Sequence, residues 1–303
     1  MKIRNILAII AFALTFIPAA RAAGDTPDEI TVISYNIRMG EAKDGTNSWE
    51  YRYPASALMI DDQKPDVFGL QEAFDYQVKY MDEYCQGYKC VGVGREDGKH
   101  KGEHMSIFYN TKTVQLLKWG TYWLSETPDK PSKGWDSACV RTATWTLMKD
   151  KKNGRKFYYV NTHLDHVGRE AQRKGLELIV NKIKEMNKEG YPMILTGDFN
   201  VEPTDPVLVG LNSMMTSARE SAVKTDKDYT YNGWGKSKAT IDYIYYSGFS
   251  AAPVFEVVRK PYMELTQLFL LRCPAGSGSF SASSGGTWQR SCRCHRGRPG
   301  CPG

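Results

Sequence analysis

Short runs of alternating apolar and polar residues recur along the chain, with a few longer stretches of helical spacing between them. Segments 30–36 (ITVISYN), 66–72 (DVFGLQE), 105–110 (MSIFYN), 114–120 (VQLLKWG), 140–148 (VRTATWTLM), 156–164 (KFYYVNTHL), 191–200 (YPMILTGDFN) and 241–247 (IDYIYYS) predict strands, being rich in β-branched and aromatic residues. Residues 150–156 (DKKNGRK) read as a polar hairpin between two of them. The clearest helix is 169–190. Its Leu176, Ile179, Val180, Ile183 and Met186 fall on one face, and Gly190 closes its C-terminal end. Two further helices are predicted over 54–63, with Pro54 in the first turn, and over 73–85. Many strands interleaved with few helices predict an α/β chain of two sheets packed face to face, with helices outside.

The two ends break this pattern. Residues 1–22 combine Lys2 and Arg4, a 12-residue apolar run and small residues at Ala20 and Ala22. That is the form of a secretory signal peptide, and the run is short of the ~20 residues needed to span a bilayer. Export to the periplasm, cell surface or exterior is therefore expected, with no stable membrane span. From Glu264 onward the chain turns rich in Ser, Gly, Arg and Cys and loses Lys, Asp, Asn, Ile, Val and Tyr altogether. Residues 264–303 read as an anomalous, disordered tail, with a changed reading frame as the working explanation.

Charge follows the same division. The whole chain carries a formal +6, but the first 22 residues hold three basic residues and no acid, and the last 40 hold five Arg and one acid. The remaining body has 32 basic and 33 acidic residues. A near-neutral body disfavours a broad nucleic-acid-binding face. Seven Cys are few for 303 residues, so the fold is not a disulfide scaffold. Cys85 and Cys90 could pair after export or stay separate buried thiols.

Polar residues cluster at the C-terminal ends of the predicted strands: Asn36, Glu72, His163, Asp198 and Asn200. An α/β scaffold presents reactive groups to solvent at such ends. Each alone has a plain reading, as a turn, a cap or a satisfied core histidine. Together they form a coherent set. Glu72 and nearby carboxylates are hard oxygen ligands for Mg²⁺ or Mn²⁺. Asp198 can orient or deprotonate a water, and His163 can stabilise a pentacoordinate phosphate. Asn36 and Asn200 can position phosphate oxygens. Asp242 stands near the start of its strand among apolar and aromatic neighbours, where an unpaired charge is costly.

The ordered motifs SYNIR, LQEAF, GEHMSIFY, RTATW, NTHLDH, TGDFN and IDYIYYS, spread from about residue 30 to about 260, resemble those of the endonuclease/exonuclease/phosphatase family, the metal-dependent phosphoesterases that resemble DNase I. YWLSETPD and SKGWDSACVRTATW look like the exported bacterial members. The resemblance implies a four-layer α/β sandwich of two mixed sheets flanked by helices, occupying residues 23–263. It implies that Asn36 and Glu72 are at the metal and that Arg141 faces the substrate phosphate. His163 would be a phosphate-contacting catalytic histidine steadied by Glu103. Asp198 would activate water, Asn200 would hold a phosphate oxygen, and Asp242 would pair with a second catalytic histidine. That histidine belongs to a terminal Ser-Asp-His motif which this sequence lacks, so the domain is expected to be incomplete at its C-terminus and its activity impaired.

The expected function is hydrolysis of phosphate esters, as a phosphodiesterase or phosphatase. A small-molecule or lipid-headgroup ester is favoured over polymeric nucleic acid. Trp135 and His166 are candidate lining residues, and Trp123 reads as packing; His166 could equally cap the following helix. The alternatives are a nuclease for DNA or RNA and a non-catalytic protein that binds phosphate ligands.

Overall fold

The computed structural model describes residues 29–249 and 253–262; the expected leader and tail lie outside them. Strands β1 (Val32–Asn36) and β2 (Val67–Gln71) run parallel, with Asn36 opposite Gln71. A parallel pair needs a crossover, and helix α1 (Trp49–Gln63) supplies it. Helix α2 (Asp75–Tyr84) follows, then β3 (Tyr88–Val91) and β4 (Ile107–Asn110). The sheet order is β1-β2-β4-β3. The chain then passes to the second sheet: β5 (Val114–Trp123), β6 (Thr142–Asp150), β7 (Lys156–His163), helix α3 (Arg169–Met186), β8 (Met193–Asp198), β9 (Thr216–Ser217) and β10 (Asp242–Ser247). Its order is β9-β10-β8-β7-β6-β5, with only β7 and β8 parallel.

The period-2 alternation of each strand sorts its side chains between two cores. Phe68 and Leu70 of β2 pack outward with Met59 and Ile60 of α1 and Val78 and Met81 of α2. Tyr158 and Val160 of β7 and Leu195 of β8 pack outward with Leu176, Ile179 and Ile183 of α3. The alternate residues Val67, Ile107, Phe157, Tyr159 and Ile194 meet between the sheets. Helices outside two facing sheets give the expected four layers.

Moving along the strands, the space between the sheets changes from apolar to polar. Next comes a layer around Asn161, which is fully buried. Its Nδ2 donates across the gap to the carbonyls of Leu70 (2.8 Å) and Ser106 (3.3 Å). Its Oδ1 accepts from Gln71 Nε2 (2.7 Å) and Thr196 Oγ1 (3.1 Å), and Thr196 also meets Tyr159 Oη. The sheets approach so closely here that a Cβ on Gly69 would lie 2.4 Å from Asn161 Cγ.

Local departures from the sequence reading have specific causes. Helix α1 begins at Trp49, not Pro54, so Pro54 lies inside it. Arg52 of this early turn anchors the preceding loop by donating to the carbonyls of Asn47, Ile37 and Arg38. Those bonds, and the burial of Trp49, outweigh one helix bond lost at proline. Ala73 and Phe74 pair with Glu103 and His104 as a short ladder instead of starting α2. A turn at Gln86–Gly87 leads from α2 into β3. Cys85 and Cys90 are free thiols, each pushed up to about 12 by burial.

Candidate active site

One step beyond the Asn161 layer, the same strands end in charged residues. β1 ends at Asn36 and β2 is followed at once by Glu72. In the second sheet Asp198 stands opposite His163 on one side and Asp242 on the other. The shared register, not a loop, brings residues from five strands to one spot.

Asn36 is the hinge between the sheets. Its Nδ2 donates to Glu72 Oε1 (2.9 Å) and to Asp198 Oδ2 (3.0 Å), while its Oδ1 accepts from the Arg38 amide. The second Glu72 oxygen accepts the Met39 amide at 2.9 Å, with Arg38 Nη1 3.9 Å away. Asp198 Oδ1 accepts the Asn200 amide at 2.9 Å. Arg38, Glu72 and Asn200 all have positive φ (62°, 60° and 54°), a conformation that non-glycine residues adopt at a cost. Three such residues around one cluster mark a site whose geometry is imposed by its surroundings.

Asp198 and Asp242 face each other across the β8–β10 pair, the first buried and the second half-buried. Burial raises both carboxyls well above their ordinary range. The Asn36 and Asn200 hydrogen bonds oppose the rise at Asp198, and Glu72 adds to it. At Asp242 the Asp198 charge adds to burial, and Thr230 opposes both. His163 is buried too: its Nε2 lies 2.9 Å from Asn200 Nδ2 and 3.8 Å from Asp198 Oδ2, and its Nδ1 has no partner. Burial, then the nearby Arg141 charge, lowers its pKa well below the usual imidazole value, so the ring is neutral.

The donor set fits a hard divalent cation. One oxygen or nitrogen from each of Glu72, His163 and Asp198 lies within 4.8 Å of the others. With Asp242 beside them, three carboxylates share a pocket that Asn36 serves as the main neutral donor. Crowded acids of this kind are relieved by a cation. Cys139, Asp165 and His166 also converge, but they do not form a second metal centre. The two Asp165 oxygens already accept six donors, and Arg141 contacts both Asp165 and His166.

The remaining expected residues fall in different places. Glu103 is buried near the site, but its carboxylate pairs with Arg95 Nη1 at 2.7 Å. The expected Glu103–His163 bond is therefore not made, because an adjacent guanidinium claims the acid. Arg141 is buried, with Nε 3.4 Å from Asp165 and Nη2 3.0 Å from His166 Nδ1; it acts on the site as a charge from behind. His166 is exposed and does not cap α3. That task falls to Asp136, which receives the Glu170 and Ala171 amides, while Asp165 holds the turn before the helix by receiving the Val167 and Gly168 amides. Trp135 is half-buried and lies under Lys174 Nζ, 5.9 Å from its ring centroid. Trp123 is packing, with its indole N–H on the Arg95 carbonyl. Among the described residues no histidine bonds to Asp242.

Asp165 was missed in the sequence. Burial opposes its charge, but the amides of Gly168, Ala138 and Val167 and the Ser137 hydroxyl hold it far below the usual carboxylate range. An Asp that accepts amides two and three residues on is an available turn signal; it was obscured by the histidines on either side.

Comparison with known proteins gives a consistent picture. The family model described as "Endonuclease/Exonuclease/phosphatase family" matches residues 33–279, a span that runs past the composition break at Met263. The fold resembles an endonuclease/exonuclease/phosphatase from Bacteroides vulgatus, with 36% identity and a TM-score of 0.70 over 72% of this chain and 87% of that one. It also resembles a mannosyl-6-phosphatase from Bacteroides thetaiotaomicron, with 39% identity and a TM-score of 0.69 over 72% of this chain and 85% of that one. Nocturnin of Xenopus laevis is 25% identical over 261 residues, covering 75% of this chain and 64% of its own length. The chain spans 40% to 64% of the length of the curated relatives it matches.

Proposed function

The chain belongs to the endonuclease/exonuclease/phosphatase family, and we propose that it is an exported, Mg²⁺- or Mn²⁺-dependent phosphatase for small phosphate monoesters, sugar phosphates first among them. The observation that carries this reading is the register-matched cluster of Glu72, His163, Asp198 and Asp242. The likeness to a mannosyl-6-phosphatase supports the substrate class, and the near-neutral body supports a small ester over a polyanion.

A divalent cation bound at this cluster supplies charge neutralisation to phosphoryl oxygens. The chain's own residues supply the rest. Asp198, with a raised pKa and a fixed orientation from Asn36 and the Asn200 amide, accepts a proton from the attacking water. Neutral His163, held by the Asn200 carboxamide at its Nε2, stands beside Asp198 where charge develops on the phosphate. Arg141 adds a buried positive charge behind them. Asp242 holds no histidine among the described residues, which favours a slowed enzyme. In the limit it favours a second reading: a phosphate-binding protein without turnover.

The test is release of inorganic phosphate from mannose 6-phosphate with Mg²⁺, with chelator, and with Asp198→Asn. Release that needs metal and Asp198 supports the enzyme. Binding without release supports the second reading, and release indifferent to metal overturns both.

A further inference from the structure

Beside the cluster stands a loop that the chemistry above does not use. Residues Thr230–Ala239 lead into β10 and close on themselves by a bridge between Tyr231 and Ala239. At its tip Gly233, Trp234 and Gly235 are left-handed in succession, with φ of 52°, 57° and 84°. Two glycines take this conformation freely; a tryptophan does not. The Asn232 side chain holds the turn by accepting the Trp234 amide at 3.0 Å.

The strained turn presents a large aromatic side chain instead of burying it. Trp234 is 45% exposed, and Tyr231 46%. Arg52 packs against the indole: its guanidinium lies 5.7 Å from the Trp234 ring centroid and 5.2 Å from that of buried Trp49. Arg52 is the same residue that ties down the loop after β1. The tip therefore docks on the loop that orients Glu72.

Arg38 connects this wall to the cluster. Its guanidinium makes a two-pronged pair with Asp44 (2.9 and 3.2 Å) and comes within 3.9 Å of Glu72 Oε2, while 43% of its side chain is exposed. Trp234 also reaches Asp44, and Tyr231 lies within electrostatic range of Arg38. Arg38 and Asp44 thus link Glu72 to two exposed aromatic rings. An aromatic face gains by covering the apolar C–H face of a sugar ring, and a rigid one loses little entropy in doing so.

We propose that Trp234 and Tyr231 set the specificity of the site, stacking on the sugar ring that carries the phosphate while Arg38 donates to its hydroxyls. This rests on the sugar-phosphatase reading, but binding and turnover test the two separately.

The variants are Trp234→Ala and Trp234→Phe. With mannose 6-phosphate, Trp234→Ala should lower kcat/KM by roughly 10-fold or more, mainly through KM, as the loss of one stacked ring implies. Acyclic glycerol phosphate should change by less than about 2-fold, and Trp234→Phe should recover most of the loss. Equal losses on both substrates, or none on the sugar, overturn the proposal. Binding is then titrated in the Asp198→Asn background with mannose 6-phosphate and with inorganic phosphate. The sugar should bind more tightly, and Trp234→Ala should erase the difference. If that holds without any turnover in the parent, the phosphatase reading fails and the binding role of Trp234 stands. If the parent turns over but the preference ignores Trp234, the reverse is true. If the sugar adds no affinity in the parent, the proposal fails outright.

Discussion

The Asn161 layer and the Asp198 layer sit two residues apart on the same strands, roughly 7 Å along them. Both are polar and both join the two sheets, but the first is fully buried and the second partly open. The first is neutral and almost saturated: Asn161, Thr196, Tyr159 and Gln71 satisfy one another and two carbonyls, leaving only Gln71 Oε1 unpaired. The second is charged and under-compensated: three carboxylates and a histidine with an orphan Nδ1 share a few amide donors. Saturated polar networks rigidify a core, whereas unsatisfied ones sit at functional sites. The first layer fixes the spacing; the second is left wanting a ligand.

Exchanging charge for neutrality in the upper layer should separate the two roles most sharply. Asp198→Asn should lower turnover by about 10²–10³ or more while leaving the metal-free protein at least as stable in thermal melts, since a like-charge pair is relieved. A melting point lowered by several degrees would place Asp198 in the structural layer instead. Breaking the lower layer should do the opposite. Asn161→Ala removes four side-chain bonds, to the Leu70 and Ser106 carbonyls, Gln71 and Thr196, and should cost ~2–4 kcal/mol in urea unfolding. Gly69→Ala forces a methyl group against Asn161 and should cost ~1–3 kcal/mol; an unchanged midpoint would mean that the sheets part easily there.

The last contrast is a pH slope. The folded-state pKa of Asp242 is raised, to about 8. The unfolded chain therefore ionises this acid first, at the ordinary ~3.9. Over that window the folded form holds the extra proton, so metal-free stability should fall as pH rises. Mg²⁺ favours the ionised form and should flatten the slope, as should Asp242→Asn. A stability that rises through the same window in chelator would contradict the described environment of Asp242.

How much of this was legible in the sequence depended on the kind of information needed. Asn36, Glu72, His163, Asp198, Asn200 and Asp242 could be read because strand patterning locates strand ends, and strands of one sheet share an end. The partners chosen there could not. Whether Glu103 meets His163 or Arg95 depends on which segment folds nearer, and the loop that brings Arg95 alongside has no periodicity. Asp165 and the early start of α1 were hidden for a related reason. Both are set by bonds between a side chain and another segment: Asp165 accepts from Ser137 and Ala138, and Arg52 donates to the Arg38 carbonyl. The aromatic loop at Trp234 carried no strand or helix pattern at all.

The order in which the chain builds its sheets has a practical corollary. The first sheet is complete by Asn110 and the second begins at Val114. Asn36 and Glu72 thus lie on one side of a three-residue connector, and His163, Asp198 and Asp242 on the other. A chain cut at that connector would yield two fragments, one with two of these five residues and one with three. Fused to two interacting proteins, such fragments would make hydrolysis a reporter of their proximity.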